Sequence, residues 1–271
     1  MKVSTSVQFD RASTSMSNLQ NELAISQAKI SSQKQVLNPS DAPGQAANIL
    51  RLHSIIDRQA TFGRTIESAQ TRLNNEDSAL SSANDAVIRI KELTIQAING
   101  TMDSNSRQAI ATEMSGLREH LLSLANTTDT TGNYIFSGSK VRTPPFSADA
   151  AGTVAYRGDQ TRMRVEIGEQ RMVTINRPGT SGMQRGLAEM DALQTGLNLA
   201  QADAGTDLNI LDLQNTVLED TKLNLKTVLS KSEDLDMTAA ITQMQKQLMS
   251  LEAAQSSFAK ISQLTLFSYL R

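Results

Sequence analysis

Residues 129–140 read D-T-T-G-N-Y-I-F-S-G-S-K, and the spacing of apolar side chains changes on passing through them. Upstream, apolar residues recur in steps of three and four almost from the first residue. From about Leu208 the same rhythm returns and runs to the last residue, and between the two the period is two. The first pattern belongs to a helix that buries one stripe, the second to a strand that buries one face. Within the stretch, Gly132 and Asn133 tolerate the left-handed backbone that ends a helix, and Tyr134, Ile135 and Phe136 favour strand. The chain is therefore expected to be mainly α: an elongated helical rod with N- and C-terminal helices paired as a coiled coil, plus a small inserted β domain where the chain turns back.

Working outward from that stretch, the first seam runs through Phe9, Ala12, Met16, Leu19, Leu23, Ser26, Ile30, Gln33 and Leu37, with only Ser26 and Gln33 polar. This narrow stripe, facing Ser, Gln, Asn and Lys on the other side, is a coiled-coil seam. The string N-P-S-D-A-P-G at 38–44 breaks it, through two prolines, a glycine and the cap formers Ser40 and Asp41. A long helix is then expected from near Gln45, on Leu52, Ile55, Gln59, Phe62, Ile66, Ala69, Leu73, Glu76, Leu80, Ala83, Val87, Ile90, Thr94 and Ala97. Asn99 and Gly100 end it. Ser104 or Ser106 can cap a third helix that carries Ile110, Met114, Leu117, Leu121 and Leu124 on one side and folds back along its predecessor.

After Pro145 and Phe146 a run of small residues leads to Val154 and Tyr156. Met163, Val165 and Ile167 alternate with Arg162, Arg164 and Glu166, and Val173 to Ile175 follow a turn at 168–170, so three or four short strands are expected. Arg157, Gly158 and Asp159 spell R-G-D, read here as part of a turn with no adhesive meaning. Residues 182–205 mix a helical piece with glycines and do not place firmly. Leu208, Leu211, Asn215, Leu218, Lys222, Leu225 and Leu229 restore the seam. S-E-D-L-D interrupts it at 232–236, and Ile241, Met244, Leu248, Leu251, Ala254, Phe258 and Ile261 form the last stripe, with one repeated three-residue step that should overwind the coil locally. The end T-L-F-S-Y-L-R leaves apolar groups that call for a partner.

Composition narrows the function. With aromatics at 3% and no Trp, the apolar mass suits helix seams better than a thick globular core. A net charge of -2, with both signs interspersed, gives no field for nucleic acid. No apolar run approaches the ~18 residues of a membrane span, and M-K-V-S-T-S-V-Q-F-D-R lacks the apolar core of a cleaved signal peptide. The chain has no Cys, and its two histidines, His53 and His120, stand apart from any metal-ligand spacing. No phosphate-cradle, dinucleotide-fold, zincin or nucleophile-elbow string occurs, so no catalytic, cofactor or metal site is expected. The acidic groups Glu76 and Asp77, and Glu233, Asp234 and Asp236, read as solvated faces and helix caps.

Taken together, the opening M-K-V-S-T with its heptads, N-P-S-D-A-P-G at 38–44, G-N-Y-I-F-S-G-S-K at 132–140, Pro145-Phe146, and the tail from Asp234 through L-E-A-A-Q-S-S-F-A-K to L-T-L-F-S-Y-L resemble the flagellin superfamily. Within it they are most similar to the flagellin-like hook-associated proteins of the bacterial hook-filament junction. The resemblance implies a structural component of the flagellum, an extracellular adapter layer that joins the hook, through a neighbouring hook-associated protein, to the flagellin filament. It also implies self-association in a helical layer, export without a cleaved signal peptide by the type III apparatus, and an export chaperone on the C-terminal helix. It implies no reaction. Filament flagellin itself, or an unrelated coiled-coil scaffold, remain alternatives at this stage.

The expected organisation is a coiled-coil helix at 1–40, rod helices at 41–132, a small β domain at 133–182, return helices at 183–232 and a second coiled-coil helix at 233–271. Assembly and partner contacts are expected at Met16, Leu19, Leu23, Ile30, Leu37, Leu248, Leu251, Phe258, Ile261, Leu264, Leu266, Phe267 and Leu270. These terminal seams are expected to order only when subunits bury them.

Overall fold

The structure is a computed structural model; it describes residues 2–100, 102–149, 153–179 and 190–269, with side chains described outside 2–6, 8 and 261–269. The fold is mainly α with a small antiparallel β region. In chain order the elements are α1 (Lys2–Ser32), α2 (Pro43–Ile98), α3 (Ser104–Ala125), β1 (Phe146–Ala148), β2 (Val154–Tyr156), β3 (Arg164–Gly168), β4 (Arg171–Thr174), α4 (Met190–Glu233) and α5 (Met237–Tyr269). They group into two compact units, residues 1–57 with 222–271, and residues 58–221.

In the first unit α1 pairs with α5, and the breaks that precede α2 and α5 are joined. α1 stops at Ser32 because Gln33 turns left-handed (φ 57°), so Gln33 and Leu37 lie beyond the helix that the sequence rhythm had carried through them. Asp41 closes the following turn, its carboxylate accepting from the Asn38 backbone N–H, and Pro43 opens α2, two residues earlier than expected. Proline suits that first position, where its missing N–H is not needed.

In the second unit α2 presents a stripe wide enough for two clusters. One holds Phe62, Ile66, Ala69 and Leu73 against Leu211 and Leu218 of α4 and against Ile167 and Val173 of the β3–β4 hairpin. The other holds Ala79, Leu80, Ala83 and Val87 against Leu197 of α4, Ile135, Phe136 and Phe146, with Leu121 and Leu124 of α3 at its edge. The part of 182–205 that did not place from sequence is helical from Met190 onward, since Leu193, Leu197, Ala200 and Ala204 continue the α4 stripe upstream; residues 180–189 lie outside the described residues. α3 is capped by Asp103, whose carboxylate accepts from Ser106 N–H at 2.9 Å, in place of the expected serines. A carboxylate is the stronger acceptor for a helix's free N–H groups.

The β region consists of two separate hairpins, β1 with β2 and β3 with β4, both antiparallel. Residues 134–136 are not a strand. Tyr134 makes one isolated bridge to Thr128, and the chain then turns, with Gly132 at φ 81° and Gly138 at φ 70°. The apolar triplet anchors instead: Ile135 and Phe136 are buried under α2.

Candidate assembly surface

α1 and α5 run antiparallel. Phe9 meets Phe258 with ring centroids 4.7 Å apart, and further along Ser26 Oγ donates to Gln247 Oε1 at 2.8 Å. The facing side chains are Ala12, Met16, Leu19, Leu23, Ser26 and Ile30 on α1, and Ala240, Met244, Gln247, Leu251, Ala254 and Phe258 on α5, all half-buried. Every step in both sets alternates three and four, as knobs-into-holes packing requires. The repeated three-residue step therefore does not arise. Gln247 takes the place assigned to Leu248, because the Ser26 hydroxyl satisfies its amide and its methylenes fill the seam. Leu248 and Ile241 stand beside the seam at 37% and 40% exposure. They are seven residues apart and so share one outer stripe.

Of the side chains expected to carry contacts, Met16, Leu19, Leu23, Ile30, Leu251 and Phe258 sit half-buried in this pair, Leu37 lies half-buried in the turn before α2, and Leu248 is on the outer stripe. The side chains of Ile261, Leu264, Leu266 and Phe267, and all of Leu270, lie outside the described residues. No described side chain of α1 or α5 reaches full burial. With two helices, each seam position is covered from one side only, and apolar groups at Val7, Phe9, Ile25 and Met249 stay more than two-fifths exposed. Exposed apolar surface of this kind marks an interaction surface.

The pair is tied to the base of the first unit by a short antiparallel bridge. Gln35 N–H donates to Glu233 O at 2.8 Å and Leu235 N–H to Gln33 O at 2.9 Å. Glu233 accepts from Lys34 Nζ at 2.6 Å and lies 3.2 Å from His53 Nε2. The hydrogen bond from Lys34 holds the Glu233 carboxyl below the usual glutamate range, against the effect of burial, with help from His53. Gln45 Nε2 adds a bond to Ser232 O at 2.8 Å. The sequence marked both 38–44 and 232–236 as breaks. The residues that pair with 233–235 are 33–35, which the seam had carried into the first helix, and that pairing is a tertiary contact with no sequence signal.

In the second unit two arginines hold the β region onto α2. Arg72 donates to Asp129 Oδ2 at 2.7 Å, to Ile175 O at 2.9 Å and to Ile135 O at 3.3 Å. Arg177 donates to Glu76 Oε1 at 3.2 Å and to Asp207 Oδ2 at 2.6 Å. Glu76 is completely buried, which corrects its reading as part of a solvated face. The signal was present, since Glu76 occupies a seam position of the α2 rhythm, where a charge must find a partner. Burial pushes its carboxyl up to about 7, against the attraction of Arg177 and Arg72. The R-G-D tripeptide is a structural turn: Asp159 accepts from Ser139 N–H and Thr161 N–H, and Tyr156 Oη donates to Asp159 O at 2.8 Å. The Ser139 hydroxyl, which also donates to the Asp159 carboxylate, and then the Ser139 and Thr161 N–H groups hold that carboxyl well below the usual range.

Among the described residues no group of acidic residues and histidines can hold a metal ion, and no helix is long and apolar enough to cross a membrane. Comparison with known proteins agrees with the geometry. Residues 3–141 match the bacterial flagellin N-terminal helical region and residues 187–270 the bacterial flagellin C-terminal helical region. The chain is similar to flagellar hook-associated protein 3 of Escherichia coli, at 27% identity over 98% of this chain and 99% of that protein. Polar flagellin C of Vibrio parahaemolyticus is 31% identical, but over 59% of this chain and 44% of the flagellin. The fold is similar to that of a solved structure described as a flagellar hook-associated protein of Vibrio parahaemolyticus, with TM-score 0.66 and 19% identity over 72% of this chain and all of that one. The two matched regions span the helices of the described residues, the antiparallel terminal pair among them, and the chain belongs to the flagellin family.

Proposed function

We propose that this chain is a structural, non-catalytic subunit of the bacterial flagellum that forms the adapter layer between the hook, through a neighbouring hook-associated protein, and the flagellin filament. The observation that carries this reading is its similarity to a flagellar hook-associated protein 3 along essentially the whole length of both chains. The similarities to flagellins and filament core proteins cover smaller shares, 59–74% of this chain and 37–73% of the relative. The half-covered α1–α5 pair supports self-association: its seam and outer stripe are what neighbouring subunits in a layer would bury. In this reading residues 1–40 and 233–271 form the inner coiled coil, 41–132 and 183–232 the rod, and 133–182 the outward β domain. Met16, Leu19, Leu23, Ile30, Leu37, Leu248, Leu251, Phe258, Ile261, Leu264, Leu266, Phe267 and Leu270 carry the subunit contacts. The chain leaves the cell without a cleaved signal peptide, and a chaperone shields α5 before export.

Deleting the gene in the bacterium that encodes the protein tests the proposal. Electron microscopy should show hooks without filaments and flagellin free in the medium, both restored by the full chain and not by a chain lacking residues 1–40 or 233–271. Filaments of normal length in the deletion strain would overturn the adapter role. Filaments built of this chain itself would establish the flagellin reading.

A further inference from the structure

Glu76 stands on α2 between the buried Leu73 and Leu80 and is itself 0% exposed. Its Oε1 takes the bond from Arg177, and its Oε2 has no hydrogen-bond partner among the described residues. Glu76 lines a cavity of about 250 Å³ together with Arg177, Asp203, Arg162, Gln160 and Phe136. Arg177 comes from the segment after β4. On α4 it meets Asp207 at 2.6 Å and Asp203 at 4.0 Å. Arg72, on the same helix as Glu76, is committed to Asp129 and to two carbonyls. Arg177 is thus shared between two carboxylates with little exposure, Glu76 of α2 and Asp207 of α4, while Asp203 and Arg162, both exposed, add one charge of each sign; the carboxylate most removed from water is the one with a free oxygen. One guanidinium does not balance two carboxylates removed from water. The charge is relieved either by a proton on Glu76 or by opening the site to water.

We propose that Glu76, Arg177 and Asp207 form a proton-operated latch: a proton on Glu76 tightens the closure of residues 175–179 across α2 and α4, and its loss to solvent loosens it. The segment is held besides by Ile175 N–H to Met163 O and Gly179 N–H to Phe136 O, each 3.0 Å, by Arg72 to Ile175 O, by the buried Asn176 side chain to Met163 N–H and Thr161 O, and by Gln160 to Gly179 O. The upward displacement of the Glu76 carboxyl to about 7, caused first by burial, places the change near neutral pH. The sign follows from linkage. A carboxyl that binds its proton more tightly when closed favours the closed form fully below its ordinary range, and that preference is lost as pH rises to about 7. The inference concerns the second unit alone and does not depend on the assembly role.

The test uses the full-length chain. Amide hydrogen exchange at Ile175 and Gly179, corrected for the intrinsic effect of pH, should show protection falling about tenfold per unit from pH 5 to 7 and levelling above. Glu76→Gln, which copies the protonated carboxyl, should give high protection with no pH dependence. Protection in the wild type that does not change with pH, or the same slope in the Gln variant, overturns the latch. Carbon-13 NMR of the Glu76 carboxyl in the wild type decides the matter even if the variant does not fold. A midpoint near neutrality supports the latch, and one in the ordinary glutamate range overturns it.

Discussion

Replacing Arg72 by Met removes the guanidinium and keeps most of the buried hydrocarbon stem, and the structure sets how much that should cost. Arg72 is 9% exposed and gives three hydrogen bonds, to the Asp129 carboxylate and to the carbonyls of Ile175 and Ile135. Breaking a buried ion pair from one side costs about 3–5 kcal/mol because the other charge is left without its partner. Here Asp129 keeps the donors Thr131 N–H and Asn133 N–H, which limits the penalty on its side. The two carbonyls lose a charged donor, and Ile135 is wholly buried. We expect a loss of about 4 kcal/mol, a large share of the ~5–15 kcal/mol that holds a domain together. Urea unfolding followed by tyrosine fluorescence in a Tyr269→Phe background reads this unit, because Tyr134 and Tyr156 lie within it and Tyr269 in the other. The midpoint should fall with the slope unchanged. A loss below ~1 kcal/mol would show that the β region is held by its apolar contacts alone and would refute the role given to Arg72.

Leu211→Ala should cost about 3 kcal/mol in the same transition, since Leu211 is 0% exposed between α2 and the β3–β4 hairpin and its removal leaves a cavity. Gly138→Ala should cost at least ~2 kcal/mol, because Gly138 has φ 70° and a Cβ there would collide with the Asp159 carboxylate and backbone; thermal melting with near-UV circular dichroism checks it. Glu233→Gln should lower the stability of the first unit at neutral pH. The partners of Glu233 depress its carboxyl, so its contribution is present above the ordinary glutamate range and is lost as pH falls through the depressed value. Wild type and variant should therefore converge in acid when helix content is followed by circular dichroism across pH.

What the sequence determined by itself was whatever depends on local period and on breakers. Seven-residue spacing placed α1, α2, α3 and the later part of α4, and the prolines and glycines at 38–44 and 99–100 placed the interruptions. Alternation at 163–167 placed β3. Each of these is decided within a few residues, by which side chains share a face. Matters that turn on a partner distant in the chain could be decided only by the tertiary structure. Residues 134–136 have strand composition, but two buried side chains under α2 are worth more to them than a ladder, so the triplet became an anchored turn. Gln247 displaced Leu248 from the seam because Ser26, 221 residues away in the chain, satisfies its amide. Glu76, one acidic residue in an apolar stripe, has its meaning set by Arg177 and Asp207, 101 and 131 residues further along. A buried polar group is stable only against a matching one, and that match exists only once helix and strand have come together.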